Sequence, residues 1–267
     1  MVSNKFSMDS DYSSQSKFKS SIKYIIKMKT ITFCIGLILS IGLLASCDHE
    51  TIRASGEITS REISFSDYSG LKVANAFNVY VTFSDTEESI RIDANENIQD
   101  RILVQKDGND LVIKLQKFTN IKGNATLNAY ITTKSLSKID LSGATDLTLE
   151  NEWVAENAKI ELSGASGFLG EVMADNLNLD MGGASTANIY GSITALNANL
   201  SGSSDIRDYD LSVEKLDINL SGASEAFLSV NDAIDIRASG ASVLYYKGNA
   251  TVNNKRLSGA SEIKNRN

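Results

Sequence analysis

Proline is absent from this 267-residue sequence, and histidine and cysteine are almost absent. At ordinary usage, about 13 prolines would be expected in a chain of this length. Because proline cannot donate a backbone hydrogen bond, its absence indicates that almost every amide is committed to a hydrogen-bonded ladder. The single histidine, His49, lies near the N-terminus. A histidine-based catalytic triad and a multi-histidine zinc site are therefore excluded from the body of the chain.

Both cysteines lie in or beside one apolar run near the N-terminus. Residues 31–44 form this run, which follows three closely spaced lysines. Its last residue begins the segment Leu44-Ala45-Ser46-Cys47. The run is too short to span about 30 Å of hydrocarbon, but it matches the apolar region of a secretory signal. The last four residues resemble a bacterial lipoprotein signal. We therefore predict that residues 1–46 are a signal peptide and that Cys47 is lipidated. The alternative is a cysteine that ends an ordinary signal peptide or a short buried helix.

The start of the signal leaves two interpretations. Met28 is followed by a lysine and then directly by the apolar run, so a complete signal peptide can begin there. Residues 1–27 are then an over-extended gene start or a long basic region before the signal. Residues 47–58 are interpreted as the lipidated N-terminus and a tether, whose acidic start is a solvated segment or an outer-membrane sorting signal.

Processing at Cys47 would leave no free thiol and an acidic protein. Cys34 would be removed with the leader, so no disulfide or thiol chemistry is expected. Residues 47–267 carry 20 basic and 31 acidic side chains, a net charge of −11. This balance argues against nucleic acid as a partner and against adsorption to anionic lipid. We expect an outer-membrane lipoprotein of a Gram-negative cell envelope, facing the periplasm or the surface, with the membrane as a partner through Cys47.

A five-residue box, typified by Leu-Ser-Gly-Ala-Ser, recurs seven times in residues 138–267. Successive box glycines are about 19 residues apart, and so regular a spacing indicates a repeat architecture. The glycines are Gly143, Gly164, Gly183, Gly202, Gly222, Gly240 and Gly259.

Within each copy, apolar and polar residues alternate with the period of a strand. Ile139 and Leu141 flank Asp140, and Ile160 and Leu162 flank a glutamate in the same way. Two shorter apolar stretches complete each copy, so the spacing predicts three short strands per coil of a parallel β-helix. A leucine-rich repeat would need a helical side, and a propeller blade would need about 40 residues.

The boxes are interpreted as structural corners. Coils stack about 4.8 Å apart, so glycine allows a positive φ, and small neighbours let the backbones approach. We expect the stacked serines to exchange hydroxyl hydrogen bonds along the axis. A phosphate-binding loop would need a following helix and usually a lysine, and calcium-binding repeats would need regular aspartates.

Residues 59–137 lack the box but are rich in alternating strands. They predict wider, decorated coils or a small sheet that caps the β-helix, because an open coil exposes apolar core and unpaired edges.

Four segments precede the Ser-Gly-Ala repeats with a recognisable pattern, namely residues 65–73, 75–81, 96–98 and 108–113. Together with the repeats, they resemble the head GIN domain family, which is also called putative auto-transporter adhesin, over residues 60–260. This resemblance implies an all-β, right-handed parallel β-helix in a secreted protein or lipoprotein, here with coils of about 19 residues. The family supplies no catalytic residues, so none is carried over.

Candidate binding residues are few. One coil departs from its neighbours by carrying Asp205, Arg207, Asp208 and Asp210, which form a charged cluster or a solvated corner. Aromatic residues offer stacking surfaces for a sugar ring or pack in the core, namely Trp153, Phe227, Tyr245 and Tyr246.

Two classes of function remain open. The first is an adhesin-like binding or structural module for glycan or for a cell-envelope protein. The second is a carbohydrate-active enzyme, which would need acids and bases converging from adjacent coils. The equivalent positions are mostly Ser, Thr and Asn, so we expect no enzyme, no cofactor and no bound metal.

Overall fold

The computed structural model describes residues 50–267, so the predicted signal peptide and Cys47 lie outside the described residues. Strands make up most of the described backbone, and the only helix in this part is a 3-10 turn at Glu96–Arg101. The strands before residue 138 are β1 (Glu50–Arg53), β2 (Ile58–Ile63), β3 (Gly70–Ala74), β4 (Asn78–Phe83), β5 (Ser89–Asn95), β6 (Ile102–Asp107), β7 (Asp110–Leu115), β8 (Thr119–Lys122) and β9 (Leu127–Thr133). The later strands are β10 (Lys138–Ser142), β11 (Asp146–Leu149), β12 (Trp153–Leu162), β13 (Gly167–Met181), β14 (Thr186–Leu200), β15 (Asp205–Ile206), β16 (Leu211–Leu220), β17 (Glu225–Ala238), β18 (Val243–Lys247), β19 (Thr251–Leu257) and β20 (Glu262–Asn265).

The strands after residue 138 stack as parallel coils, each paired with the strand one repeat further along the chain. One inward row shows the register, because its members are Cα partners from coil to coil and are at most 1% exposed. This row consists of Ile139, Ile160, Leu179, Ala198, Ile218 and Ile236. The predicted parallel β-helix is confirmed, and its coils have the length of the sequence repeat.

The strands inside a coil are longer than the three short strands that we predicted. Strand β13 runs unbroken for 15 residues and includes all the apolar stretches between two boxes. Its inward residues are Phe168 and Val172 before Asp175-Asn176, and Leu177 and Leu179 after it. Asp175 and Asn176 are both exposed, so the alternation of inward and outward residues shifts by one position and the chain turns there. The parallel pairing with β14 continues before and after this turn.

The boxes form the second corner of each coil. All seven box glycines have a positive φ, from +70° to +83°. A Cβ at Gly222 would clash with the carbonyl oxygen of Gly202 in the preceding coil. That oxygen accepts a 2.8 Å hydrogen bond from the amide of Ala223, so the coils already touch at backbone distance. Glycine is therefore required both for its φ and for this close approach.

The last residue of each box faces inward. In the first six boxes this Ser or Thr is at most 1% exposed. We expected the hydroxyls to bond to one another along the axis, but among the described residues only Ser185 and Ser204 do so, at 3.3 Å. The usual acceptor is a carbonyl of the same box, as when Ser224 donates to Ser221 O at 2.7 Å. The local acceptor is three residues away, so the buried hydroxyls other than that of Ser185 are satisfied without help from the adjacent coil.

One further coil precedes the first box. Strands β3 and β4 pair in parallel with β10 and β11, and their connection lies where the box should be. Asn75 and Ala76 have φ values of +75° and +62° there, and buried Phe77 takes the inward position of Thr145. Strands β7 and β9 lie beneath this coil in the same parallel sense.

Antiparallel strands lie at the N-terminal end of the stack. They correspond to the capping sheet, which was one of the two alternatives for residues 59–137. Strand β6 pairs with β7, β5 with β9, and β2 with β5, all antiparallel. At the other end, β19 and β20 have strand partners on only one side within residues 50–267. Lys255 occupies the position opposite Ile236, so a charge follows the last buried isoleucine of the inward row.

Candidate functional site

A long groove of about 900 Å³ runs along the coils beside the boxes. We call it the ladder groove. Each coil contributes one residue to each wall of the groove. The first wall, which we call the outward row, contains the residue three positions before each box glycine. The second wall contains the residue directly before that glycine. The row consists of Asp140, Glu161, Asp180, Asn199, Asn219, Arg237 and Arg256, and the second wall consists of Ser163, Gly182, Ser201, Ser221, Ser239 and Ser258.

The outward row changes from acidic to neutral to basic along the axis. Its middle members are linked by hydrogen bonds, with Asn199 Nδ2 donating to Asp180 Oδ1 at 2.8 Å and Asn219 Nδ2 donating to Asn199 Oδ1 at 2.9 Å. Arg237 Nη1 continues the series by donating to Asn219 Oδ1 at 3.3 Å. Each amide keeps further hydrogen-bonding capacity, because an amide side chain offers two donors and an acceptor with two lone pairs.

The acidic end is neutralised by lysines from the neighbouring outward row. Lys138 pairs with both Asp140 and Glu161, and Lys159 lies 2.6 Å from Glu161 and 3.7 Å from Asp180. Burial raises the pKa of Asp140, and the pairing with Lys138 does not fully offset it. Burial also acts on Glu161, but hydrogen bonds from Lys138 and Lys159 outweigh it and hold its pKa below the usual value. Both carboxyls therefore lie in ion pairs with Lys138.

The structure brings the charged cluster and part of the aromatic set together on the face that follows the boxes. A second cavity, of about 350 Å³, is lined by Asp205, Arg207, Asp208, Tyr209 and Phe227 together with Glu225. Arg207 Nη2 lies 3.9 Å from Asp205 Oδ2, and both side chains are open to solvent, so this ion pair is weak. Asp210 is exposed and does not line this cavity.

The aromatic rings of this cluster are already in contact with other groups. Phe227 stacks on Tyr245 with 4.6 Å between the ring centroids, and Tyr209 meets Phe227 at right angles. Lys247 Nζ lies 4.3 Å from the ring centre of Tyr209, and the Arg266 guanidinium lies 5.0 Å from that of Tyr245. A sugar ring could stack here only by displacing these partners, so the aromatic column mainly joins adjacent coils.

Two aromatic candidates are removed from the binding set by their burial. Trp153 is 1% exposed, stacks beside Phe83, and donates its indole N–H to Leu136 O at 3.0 Å. Tyr246 is 8% exposed. Both side chains face the core because they lie on the inward phase of their strands, so core packing is the alternative that their burial supports.

Within residues 50–267, no group of three or more His, Cys, Asp and Glu side chains is arranged to hold a metal ion. No helix in this part of the chain is long and apolar enough to cross a membrane.

Sequence reasoning missed the ladder groove. Its outward row includes Asn199, Asn219, Arg237 and Arg256, none of which stands in a charged or aromatic cluster along the chain. The signal that could have found them is the alignment of the repeats, because each lies three residues before a box glycine and parallel stacking brings equivalent positions into one row.

A family model described as "putative auto-transporter adhesin, head GIN domain" matches residues 67–250, which includes the extra coil, six of the seven boxes and most of the ladder groove. The chain belongs to the head GIN domain family. The predicted resemblance is thus confirmed, and the match begins inside the capped N-terminal part rather than at the first box.

Solved structures share the fold of this head GIN protein. A putative adhesin from Bacteroides fragilis is 23% identical with a TM-score of 0.75, and the alignment covers 80% of this chain and 100% of that one. A putative lipid binding protein from Parabacteroides distasonis is 18% identical with a TM-score of 0.68, covering 82% and 100%. A putative adhesin from Parabacteroides merdae is 14% identical with a TM-score of 0.66, covering 81% and 99%. No curated protein matches the chain.

Proposed function

We propose that this head GIN protein is a lipoprotein of a Gram-negative cell envelope that binds glycans through the ladder groove and does not cleave them. The adhesin names of the family model and of similar structures from Bacteroides and Parabacteroides support a binding role at the envelope. The lipidated Cys47 anchors the protein to the membrane. The observation that carries the proposal is the row of hydrogen-bonding side chains with a regular repeat along one open groove.

The chemistry of the groove suits sugar hydroxyls. Asn199 and Asn219 present amides that can donate and accept, and Ser201 and Ser221 present hydroxyls on the opposite wall. Neighbouring strands lie about 4.8 Å apart, so these groups recur at about the length of one sugar unit in an extended chain. Shallow grooves of this kind bind through many modest contacts, because each exposed hydrogen bond contributes about 1 kcal/mol.

Binding without cleavage follows from the state of the carboxyls. Hydrolysis of a glycosidic bond requires one carboxylic acid to donate a proton and a second carboxylate to act as base or nucleophile. The groove carboxyls Asp140, Glu161 and Asp180 lie on three successive coils, and Lys138 and Lys159 pair with them. We therefore expect that no glycan incubated with the protein yields new reducing or unsaturated ends.

The glycan-binding role is tested with full-length protein purified from membranes in detergent and applied to a glycan array. The double variant Asn199→Ala/Asn219→Ala removes the amides of the groove and should lose most of the bound signal. The matched control is Asn176→Ala, because Asn176 also donates to an asparagine of the preceding coil, at 3.1 Å, but lies outside the groove. Absence of glycan binding, or equal loss in the control, would refute the role of the groove.

The anchor is tested separately. Mass spectrometry of the native protein should find Cys47 as a lipidated N-terminus, and Cys47→Ala should move the protein out of the membrane fraction. An unmodified Cys47 inside a longer chain would contradict the lipoprotein assignment without affecting the glycan-binding test.

A further inference from the structure

The charge of the protein is divided along the stack of coils. Residues 50–236 carry 14 basic and 29 acidic side chains, whereas residues 237–267 carry six basic and one acidic. The net charge therefore changes from −15 to +5 at the last two coils. The overall acidity of the chain conceals this basic end, which comprises Arg237, Lys247, Lys255, Arg256, Lys264 and Arg266.

Two of these residues face the ladder groove together. Arg237 and Arg256 are Cα partners on adjacent coils and both line the groove. Arg237 Nη1 lies 3.2 Å from Asp217 Oδ1 and 3.3 Å from Asn219 Oδ1, which leaves Nε and Nη2 for a ligand, and the side chain is 52% exposed. The side chain of Arg256 is exposed and forms no hydrogen bond or ion pair with any residue from 50 to 267.

Directly opposed like charges destabilise a strand pair, so the paired guanidiniums carry an energetic cost. One aspartate neutralises only one of them. An anion placed between them would remove the repulsion, and a carboxylate can accept two parallel hydrogen bonds from each guanidinium. The Ser239 hydroxyl on the opposite wall can donate a further hydrogen bond to the same anion, and the Ser258 hydroxyl can do so by leaving its 3.5 Å hydrogen bond to Ala238 O.

We propose that Arg237 and Arg256, with Ser239 and Ser258, form an anion subsite for an acidic sugar at the basic end of the ladder groove. The inference rests on the proposed glycan binding and adds the class of glycan and its direction. Neutral sugar units lie along Asn199 and Asn219, and the carboxylate-bearing unit lies at the arginines.

The charge of the remaining coils limits the ligand further. Residues 138–236 hold four basic and 17 acidic side chains, which would repel a densely charged polyanion. A glycan with an isolated acidic unit avoids that repulsion. A charge on the open edge of the last coil can also prevent pairing with another chain, but this role does not require two arginines. Lys255 already places a charge at the inward row, and a lysine elsewhere on the edge would protect it equally well.

The test uses oligosaccharides in matched pairs that differ only in one terminal acidic sugar, applied to full-length protein in detergent. The variant Arg237→Lys/Arg256→Lys keeps both charges but removes the paired guanidinium geometry. We expect the wild type to bind the acidic member about tenfold more tightly, as a charged hydrogen-bonded pair would give. The double variant should lose this preference while it still binds the neutral member, which also shows that it is folded.

Arg207→Lys is the matched control, since Arg207 is exposed, lies on another face and should leave the preference unchanged. Failure to bind any glycan would overturn the glycan-binding function itself. Equal binding of acidic and neutral members would overturn only the anion subsite, as would a preference that survives in the double lysine variant. Vesicles with and without phosphatidylglycerol test the other source of anions, and arginine-dependent binding to the anionic vesicles alone would overturn the acidic sugar in favour of a lipid headgroup.

Discussion

At the N-terminal end of the coil stack, antiparallel strands β2, β5 and β6 continue the sheets beyond the coils, whereas the last coil at the C-terminal end has no such strands within residues 50–267. At this end, Ile90 and Ile92 on β5 and Ile113 on β7 are at most 1% exposed. In the last coil, Val252 and Leu257 are only half-buried, and Lys255 follows the inward row.

The two ends show two ways to stop a parallel stack. A reversal of strand direction covers the core with further apolar side chains, so it adds stability while it closes the end. A charge in the inward row adds little stability, but it makes a further coil unfavourable because the next strand would bury an unpaired ammonium group. Because no strand of residues 50–267 covers this end, its basic residues are open to solvent and to ligands.

The largest effect is expected where a corner lies inside the stack. Gly222→Val places a β-branched side chain at φ +76° against Gly202 O and should lower the free energy of unfolding by about 4 kcal/mol. Gly259→Val meets Gly240 O at 2.7 Å in the last coil, which can shift, and should cost about 2 kcal/mol. Denaturant unfolding of both variants measures the difference. Equal losses would mean that the last coil is held as rigidly as the interior.

The next effect concerns the junction between the capped part and the regular coils. Trp153→Ala removes the stacking on Phe83 and leaves Leu136 O without its donor, so unfolding should become easier by about 3 kcal/mol. Thermal unfolding followed by circular dichroism measures this loss. Trp153→Phe separates the contributions, because it keeps most of the packing and loses only the hydrogen bond. An unchanged melting temperature for the alanine variant would show that the junction does not support the stack.

A smaller, pH-dependent effect distinguishes the two groove carboxyls. The pKa of Glu161 is lowered in the folded state, so its stabilisation is present at neutral pH and is lost as the pH falls through the folded pKa. The pKa of Asp140 is raised, so its charged form disfavours folding at neutral pH. Glu161→Gln should therefore lower stability at pH 7, and Asp140→Asn should raise it, each by less than about 1 kcal/mol. Urea unfolding at pH 7 and pH 3 measures the stability of both variants. If both variants gain or both lose stability at pH 7, the opposite pKa shifts of the two carboxyls are contradicted.

The smallest change in stability is expected at the open end. Lys255→Ile should alter the free energy of unfolding by no more than about 0.5 kcal/mol, as for other exposed substitutions. It should nevertheless promote self-association, because it extends the apolar inward row onto an unpaired edge. Sedimentation velocity measures the association, with Lys215→Ile as the control inside the stack. A variant that stays as monomeric as the wild type would show that the charge does not close this end.

The box glycines made the regular coils predictable, because a positive φ and a close approach leave a nearly invariant residue at a regular spacing. The extra coil was not recognised, since Asn75 and Ala76 adopt the positive φ values and Phe77 replaces the inward Ser or Thr. Asparagine is the residue besides glycine that most readily takes this conformation, so Asn75 was the available signal.

The candidate site was harder to predict for a different reason. Its residues do not cluster along the chain, because stacking places residues that are one full repeat apart side by side, as with Arg237 and Arg256. The net charge of residues 47–267 likewise conceals the difference between the acidic residues 50–236 and the basic residues 237–267. Burial of Trp153 could not be read from composition, because its inward phase is set by the coil and not by the residue type.

The corner hydrogen bonds have a mechanical consequence. A carbonyl from each box glycine up to Gly240 accepts an amide of the next coil at 2.7 or 2.8 Å, in line with the ladders on either side. A pulling force that enters through a ligand on the last coil and leaves at the first therefore loads all the hydrogen bonds between two coils at once. Rupture would require them to break together, whereas pulling on a chain end would peel them one after another. A stack loaded in this way resists tension in proportion to the perimeter of a coil and independently of how many coils it contains.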